Sequence, residues 1–405
     1  MSAPLDLNRA NTYQTTRIHS SEQTVSDTNG PFLTGSARAV FRRLVEDGPS
    51  TRPQIGMSLG LSRPTMSAAI AELEQLGYVE MVGAIKGPLG RSAAQYKVGP
   101  GAGHVIAVDA GATHVRLRVS TLDRKQLANR ILRYPESQLT INEEVSRAVA
   151  SEFAVIRAST KRNWGPLRAL GLAVPTRVVG PEGDVEGSRQ DVVFRAFDPP
   201  AGVALVLENN VNCAAVAEQH YGAARGIANF AYVQIGLKIG MGLILNDQLV
   251  RGRNGAAGEI GHLSFPFAPG AEPLPGEVEH YLGTQAFISR VQSDWTTAAG
   301  PSPRDTEELL KLAEAGHPDA QRHVARHASD IGAVVAACVS VVDPGLVVLG
   351  GGLGASPLLL PEVRQTANRL SYPVEIHSTH LAADATVLGI ERLAIETALP
   401  LVLGE

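Results

Sequence analysis

Cysteine is nearly absent from this chain: its 405 residues include two, Cys213 and Cys338. Two cysteines supply neither a disulfide framework nor a thiolate zinc cluster. Both lie in apolar, helix-like stretches, which predicts buried free thiols. Also missing is any uninterrupted apolar run long enough to span a bilayer, so no membrane partner is expected. The first thirty residues are polar and lack the apolar core of a signal peptide. A cytoplasmic location is therefore expected, with residues 1–35 as a disordered segment. Strong charge of one sign is lacking too, for the net charge is −4. Residues 36–100 nevertheless sum to +3, and residues 101–405 to −6. A mildly basic head on an acidic body suits an N-terminal contact with DNA, although ordinary fluctuation also gives a balance this small.

What is present fits a globular chain of two or three domains. Hydrophobic residues make up 44% and charged residues 19%. The most informative stretch is Ser50 to Val82. Ser50 is placed to cap a helix from about Thr51 to Leu59, and Gly60 ends it. Ser62 caps a second helix with Pro64 in its first turn. Met66, Ala69, Ile70, Leu73 and Leu76 follow at helical spacing. This is the layout of a helix-turn-helix, whose second helix places N-terminal residues on base edges in the major groove. Ser62, Arg63, Thr65 and Ser67 occupy those positions. A first helix is expected over Ser36–Asp47.

Tyr78–Val82 and Gln95–Val98 read as strands around a glycine-rich basic tip. That is the pattern of a wing, with Lys86 and Arg91 as candidates for phosphate or minor-groove contact. The winged helix-turn-helix is thus assigned to residues 36–98. Gly99–Gly103 reads as a linker. Beyond it, strands at Val105–Val108, Val115–Val119, Leu170–Val174, Tyr232–Ile235, Leu243–Leu245 and Leu346–Leu349 mix with helical patterns. These cover Glu143–Ala158, Ala286–Trp295, Glu307–Ala315 and Asp319–Val342. The mixture indicates an α/β architecture, and two strand-rich segments followed by helices suggest two related lobes.

Two motifs carry chemistry. Asp109-Ala110-Gly111-Ala112-Thr113 places a carboxylate, a small turn and a hydroxyl together, a set suited to magnesium and phosphate. Arg251–His262 is more specific. Its small residues bring backbone close, and Glu259 and His262 stand three apart. A carboxylate beside an imidazole grips the vicinal hydroxyls of a sugar; a purely structural Glu–His pair is the plainer alternative.

With these residues in view, residues 104–405 resemble the ROK family, which groups sugar kinases with sugar-responsive repressors. The matching pieces are Asp109–Thr113, Gly171–Pro175, Glu208–Asn212, Arg251–His262, Glu279 and Asp343–Gly351. The resemblance implies a two-lobed, actin-like fold of the hexokinase type. A winged helix in front implies the repressor branch, whose members govern xylose, N-acetylglucosamine and glucose metabolism.

Three departures from the family pattern bear on activity. Family kinases carry Asn-Asp where this chain has Asn209-Asn210, and an amide cannot act as the general base. The family's Gly-Thr-Gly-Ile-Gly phosphate loop becomes Gly236-Leu237-Lys238-Ile239-Gly240, and Thr176 replaces a glycine. The family zinc site keeps one ligand, His262, but the run Pro266–Glu277 has none of its three cysteines. A substitute set of His262, Glu277 and His280 is not called for by the spacing.

The expectation is a DNA-binding regulator, a repressor by family resemblance, without kinase activity and without ATP or metal as cofactor. Asn209, Asn210, Glu259, His262 and Glu279 would hold a sugar-like effector and close two lobes. Asp109, Gly111 and Thr113 would be a vestige of the nucleotide site. The partners would be a double-stranded operator and further copies of the chain, as homodimer or homotetramer. The alternatives are an active sugar kinase with an accessory DNA-binding head, and a regulator controlled by a protein partner.

Overall fold

Capping chemistry sets the helices of the head. In this computed structural model, which describes residues 33–86, 92–138, 140–264, 272–296 and 300–405, helix α1 spans Gly35–Asp47. Thr34 caps it, and the Thr34 N–H and hydroxyl both donate to Glu72, at 2.8 and 2.7 Å. Strand β1 is Ser50–Thr51, and α2 is Arg52–Leu59. The cap of α2 is Thr51, one residue later than the sequence suggested. Thr51 and Gln54 form a reciprocal capping box, whereas the Ser50 hydroxyl donates back to Gly48. Gly60 closes α2 in the left-handed region, φ 65°, as its position predicts. Helix α3, Arg63–Gln75, starts at Ser62. Strands β2 (Val79–Lys86) and β3 (Ser92–Val98) complete a three-stranded sheet of order β1-β3-β2. The expectations for residues 1–32, for the hairpin tip with Arg91, for the Lys86 side chain and for residues 265–271 fall outside the described residues.

The chain divides into two compact units. The first comprises Met1–Val174, Gln190–Glu208 and Ile390–Glu405. Its second sheet contains β4 (His104–Ala110), β5 (His114–Thr121), β6 (Gln126–Arg133), β7 (Leu167–Val174) and β8 (Ala204–Asn209), in the order β6-β5-β4-β7-β8. Strands β4, β5 and β6 form an antiparallel meander, and β7 pairs parallel to β4. All seven residues of β4 are buried, as befits a strand covered on both faces. Helix α4 is Glu143–Ala158, as its apolar spacing predicts.

The second unit comprises Pro175–Arg189 and Asn209–Gly389. After α5 (Asn210–Tyr221) come β9 (Phe230–Ile235), β10 (Ile239–Leu245) and β11 (Gln248–Val250). Helices α6 (Glu277–Leu282), α7 (Thr284–Ser293), α8 (Thr306–Glu314) and α9 (Pro318–Val342) follow. Strand β12 (Leu346–Gly350), α10 (Leu360–Leu370) and β13 (Glu375–Ser378) complete it. The sheet order, β11-β10-β9-β12-β13, repeats that of the first unit: an antiparallel meander whose first strand pairs parallel with β12, as β4 does with β7; β13 then runs parallel to β12. Among the described residues, α9 alone is long and apolar enough to cross a bilayer. Ile331, Val334, Val335 and Val339 instead pack it into this unit's core.

Residues 99–103 do not behave as a linker. Pro100–Ala102 form a turn of 3-10 helix with Ala102 fully buried. A Cβ on Gly101 would stand 2.3 Å from the Leu76 carbonyl oxygen, and one on Gly103 2.3 Å from that of Pro166. The C-terminal helix α11 spans Ala385–Leu403. Its residues Ala394, Ala398 and Val402 share one apolar cluster with Phe41, Leu44 and Ile70 of the head and Val105 and Ala169 of the first-unit sheet. Arg392 adds a 3.1 Å ion pair to Glu46. Small residues in an apparent linker have served close packing, so the head and the first unit are one body.

Candidate functional site

The residues expected to read DNA lie on the N-terminal half of α3. Ser62, Arg63, Thr65 and Ser67 are all exposed, while Met66, Ala69, Ile70 and Leu73 hold the other face in the core. Two of the four polar groups are committed to the helix itself. Ser62 Oγ accepts from the Thr65 N–H at 3.3 Å and lies 2.8 Å from Thr65 Oγ1. Arg52 braces the wing, with its guanidinium 4.9 Å over the Tyr96 ring and 2.6 Å from the Tyr96 hydroxyl.

The residues expected to hold an effector all fall in the second unit. Glu259 precedes a single 3-10 turn, Ile260–His262, which presents Glu259 and His262 together. Gly258 makes this turn possible. Its φ is 83°, and a Cβ there would meet the Met241 carbonyl oxygen at 1.9 Å. Glu279 lies in α6, and its carboxylate accepts from the Ile239 N–H at 3.4 Å. It also stands 3.2 Å from where a Cβ on Gly261 would be. Burial pushes the Glu259 carboxyl above the ordinary range; His262, Lys238 and Arg177 oppose that shift, and Glu279 adds to it. One imidazole, one further carboxylate and two cations thus lie near enough to Glu259 to act on its charge.

Asn209 and Asn210 part company. Asn209 caps α5, its Oδ1 accepting from Val211 N at 2.8 Å and Asn212 N at 3.2 Å. Its Nδ2 donates to the Thr176 carbonyl at 3.0 Å. The Asn209 amide is therefore largely occupied by the fold. The Asn210 side chain, on the first turn of α5, has no hydrogen-bond partner among the described residues.

Arg177 was not singled out in the sequence. Its guanidinium donates to the carbonyls of Asp184 at 3.1 Å and Asn254 at 2.9 Å, and also to that of Glu186. It binds the loop after Thr176 to the turn that precedes Glu259. No local signal marks it, because its acceptors lie 7, 9 and 77 residues away.

The nucleotide-like turn lies in the first unit. Asp109, 4% exposed, is the penultimate residue of β4, and Gly111 and Thr113 lie in the turn into β5. His114 occupies both polar groups. Its Nδ1 is 2.9 Å from Thr113 Oγ1 and its Nε2 is 3.3 Å from Asp109 Oδ2. The spacing of Asp109 and His114 across a hairpin was readable, but went unread. Among the described residues, no three His, Cys, Asp or Glu side chains gather to hold a metal ion.

The sequence profile of the ROK family matches residues 105–396. The xylose repressor of Caldicellulosiruptor bescii is 22% identical over 383 residues, covering 88% of this chain and 94% of that protein. The bifunctional enzyme NanE/NanK of Brucella suis is 27% identical over 303 residues, covering 72% of this chain and 53% of the enzyme. Among solved structures, a ROK family transcriptional regulator homologous to the E. coli MLC protein superposes with a TM-score of 0.68, at 17% identity, over 91% of this chain and 96% of that one. The match to regulators thus runs nearly end to end, whereas the match to the enzyme covers less of the chain. That difference favours regulation over catalysis. By the span of its family match, the chain belongs to the ROK family.

Proposed function

We propose that this protein is a transcriptional regulator that holds operator DNA with its winged head and binds a sugar-like effector on its second unit. The observation that carries the reading is the head itself: a capped recognition helix, its polar face exposed, packed into one core with the first unit. The xylose repressors among the relatives support repression as the sign of control. Such a regulator works in the cytoplasm, where its operator is, as a homodimer or homotetramer reading paired half-sites. Effector binding lowers operator affinity only to the extent that it prefers one state of the protein.

Phosphoryl transfer is not part of the proposal. Asn210 offers an amide where a base is needed, and Asp109 and Thr113 are already engaged by His114. The test has two arms. Selection from random DNA duplexes should yield a preferred operator, and Arg63→Ala should weaken binding to it by about 1–3 kcal/mol. Release of that operator by one sugar, without ATP consumption, is the expected response. Sugar-dependent ATP turnover by the native protein, or no preferred duplex, would sink the reading.

A further inference from the structure

Each sheet has two edges, and most of them are poor templates for further pairing. In the head, β1 has two residues, and β2 is bent by a bulge between Met81 and Gly83. In the second unit, β11 and β13 have three and four residues. In the first, β8 has six, mostly buried. The remaining edge is β6, eight residues long and without proline or glycine. Its irregularity lies at its start, where Ser120 pairs with Gln126 and Val119 with Ala128. From Ala128 onward its pairing with β5 is regular. Asn129, Arg130, Ile131, Leu132 and Arg133 are all exposed. Ile131 and Leu132 point to opposite faces of the sheet, yet they are 47% and 38% exposed. Exposure on both faces at once belongs to an open edge, and among the described residues no strand pairs with its outer side. A long, partly apolar, unpaired edge is a template for another strand.

The order of residues in the exposed run says which strand fits. Two copies of one strand joined about a two-fold axis run antiparallel. Directly opposite residues share a face of the sheet, so the axis passes through a residue that meets its own copy, never between two residues. Centred on Ile131, the whole exposed run is matched: Ile131 meets Ile131, Asn129 meets Arg133, and Arg130 meets Leu132. The first is an apolar pair, the second joins an amide to a guanidinium, and the third lays a leucine along an arginine stem. The Arg130 head group is already turned to Glu152 of α4, at 2.6 Å, so its charge is met within its own chain. Centring on Arg130 instead sets two guanidiniums opposite each other, which is unfavourable. Centring on Asn129 runs into the irregular start of the strand, and centring on Leu132 leaves Asn129 and Arg130 outside the matched run. We propose that two copies of the chain join through β6, paired antiparallel about Ile131, so that their five-stranded sheets become one continuous sheet. The proposal rests on the homo-oligomer reading above and names a surface for it.

The test is oxidative cross-linking of the full chain, with sedimentation alongside. The native cysteines, Cys213 and Cys338, are buried, so a thiol introduced on β6 reacts against a quiet background. Directly opposite residues have Cα atoms about 4.5–5.5 Å apart, within reach of a disulfide. In the proposed register Leu132 and its own copy are diagonal neighbours, about 7–8 Å apart and out of reach. Ile131→Cys should therefore give a covalent dimer as its main product under mild oxidation, while Leu132→Cys stays largely uncross-linked. Ile131→Lys sets two ammonium groups opposite each other and should raise the dissociation constant of the contact by about tenfold or more. Circular dichroism of each variant separates misfolding from lost contact. Cross-linking of Leu132→Cys as readily as Ile131→Cys, or unchanged assembly of a folded Ile131→Lys, would overturn the proposal while leaving the homo-oligomer reading in place. A native protein that sediments as a monomer at every concentration would remove both.

Discussion

The two units build the same hairpin and furnish it differently. In the first unit the β4–β5 turn keeps Asp109 and Thr113, yet His114 ties both. In the second the β9–β10 turn has lost its hydroxyl, and among the described residues Lys238 has no hydrogen bond or ion pair. Both turns occupy the same place in a repeated sheet order. One has retained its polar residues and closed on itself; the other has changed its residues and stayed open. The lesson is that a preserved motif is not a preserved site. What a turn can bind depends on whether its polar groups are still available.

The sharpest way to break this comparison is to restore catalysis. Asn210→Asp combined with Leu237→Thr and Lys238→Gly should raise sugar-dependent ATP turnover, and a recovered general base is worth about 10²–10⁴-fold. The single variant Asn210→Asp should gain much less. Equal rates in a coupled ATPase assay would show that Leu237 and Lys238 are irrelevant to nucleotide.

The next effect contrasts buried ionisable groups in the two units. Glu391, fully buried in the first, meets Arg118 at 2.7 Å. His327, 1% exposed in the second, lies 3.8 Å from the Phe287 ring, stacked on it, and neither ring nitrogen has a hydrogen-bond partner. Burial pushes the His327 imidazole down to about 3 from an ordinary value of 6.5. The folded state therefore refuses a proton that the unfolded chain accepts. Stability is complete above pH 6.5 and falls as pH drops toward 3, by about 4–5 kcal/mol at most. His327→Phe should flatten that slope in urea titrations at several pH values. It should also stabilise the protein at pH 7 by about 1–3 kcal/mol, since an unsatisfied group is removed. An unchanged slope would mean that His327 is hydrated or partnered in solution.

A third contrast lies inside the candidate effector site. Gly258→Ala meets backbone at 1.9 Å with φ at 83°, so about 2–4 kcal/mol of stability should be lost. Gly236→Ala meets nothing closer than 3.7 Å and should stay within about 0.5 kcal/mol. Thermal midpoints of the two variants decide the matter; similar losses would show that the β9–β10 turn is tighter than it looks. The smallest effect is expected from His114→Ala, about 1 kcal/mol for its two hydrogen bonds. If that variant also gains Mg-ATP affinity by calorimetry, His114 is what closes the first-unit turn.

Much of this was legible from residues alone. The helix boundaries at Gly60, Ser62 and Asp47 follow from caps and turns that involve a few neighbouring residues. The pairing of Glu259 with His262 follows from three-residue spacing, and the missing carboxylate at Asn210 from one letter. Besides the two-residue β1, strands β6, β8, β11 and β13 are not among those expected from the sequence. All lie at sheet edges; along β6, β11 and β13 burial is partial and the alternation of apolar residues is weak, whereas β8 is short and mostly buried, so it shows no alternation at all. The linker expected at 99–103 failed for a related reason. Glycine and proline mark either freedom or close approach, and only the surrounding atoms say which.

The sequence by itself determined where helices start and stop, which side chains carry charge, and which chemistry Asn210 cannot perform. These are properties of one residue or of neighbours along the chain. Tertiary structure alone decided that Arg177 is occupied and Lys238 is not, that His114 closes the Asp109 turn, and that the head shares a core with α11. Each of these turns on which acceptor or apolar surface arrives from far along the chain. Local propensity carries no record of that, because a polar group's availability is settled only after the rest of the molecule has chosen its partners.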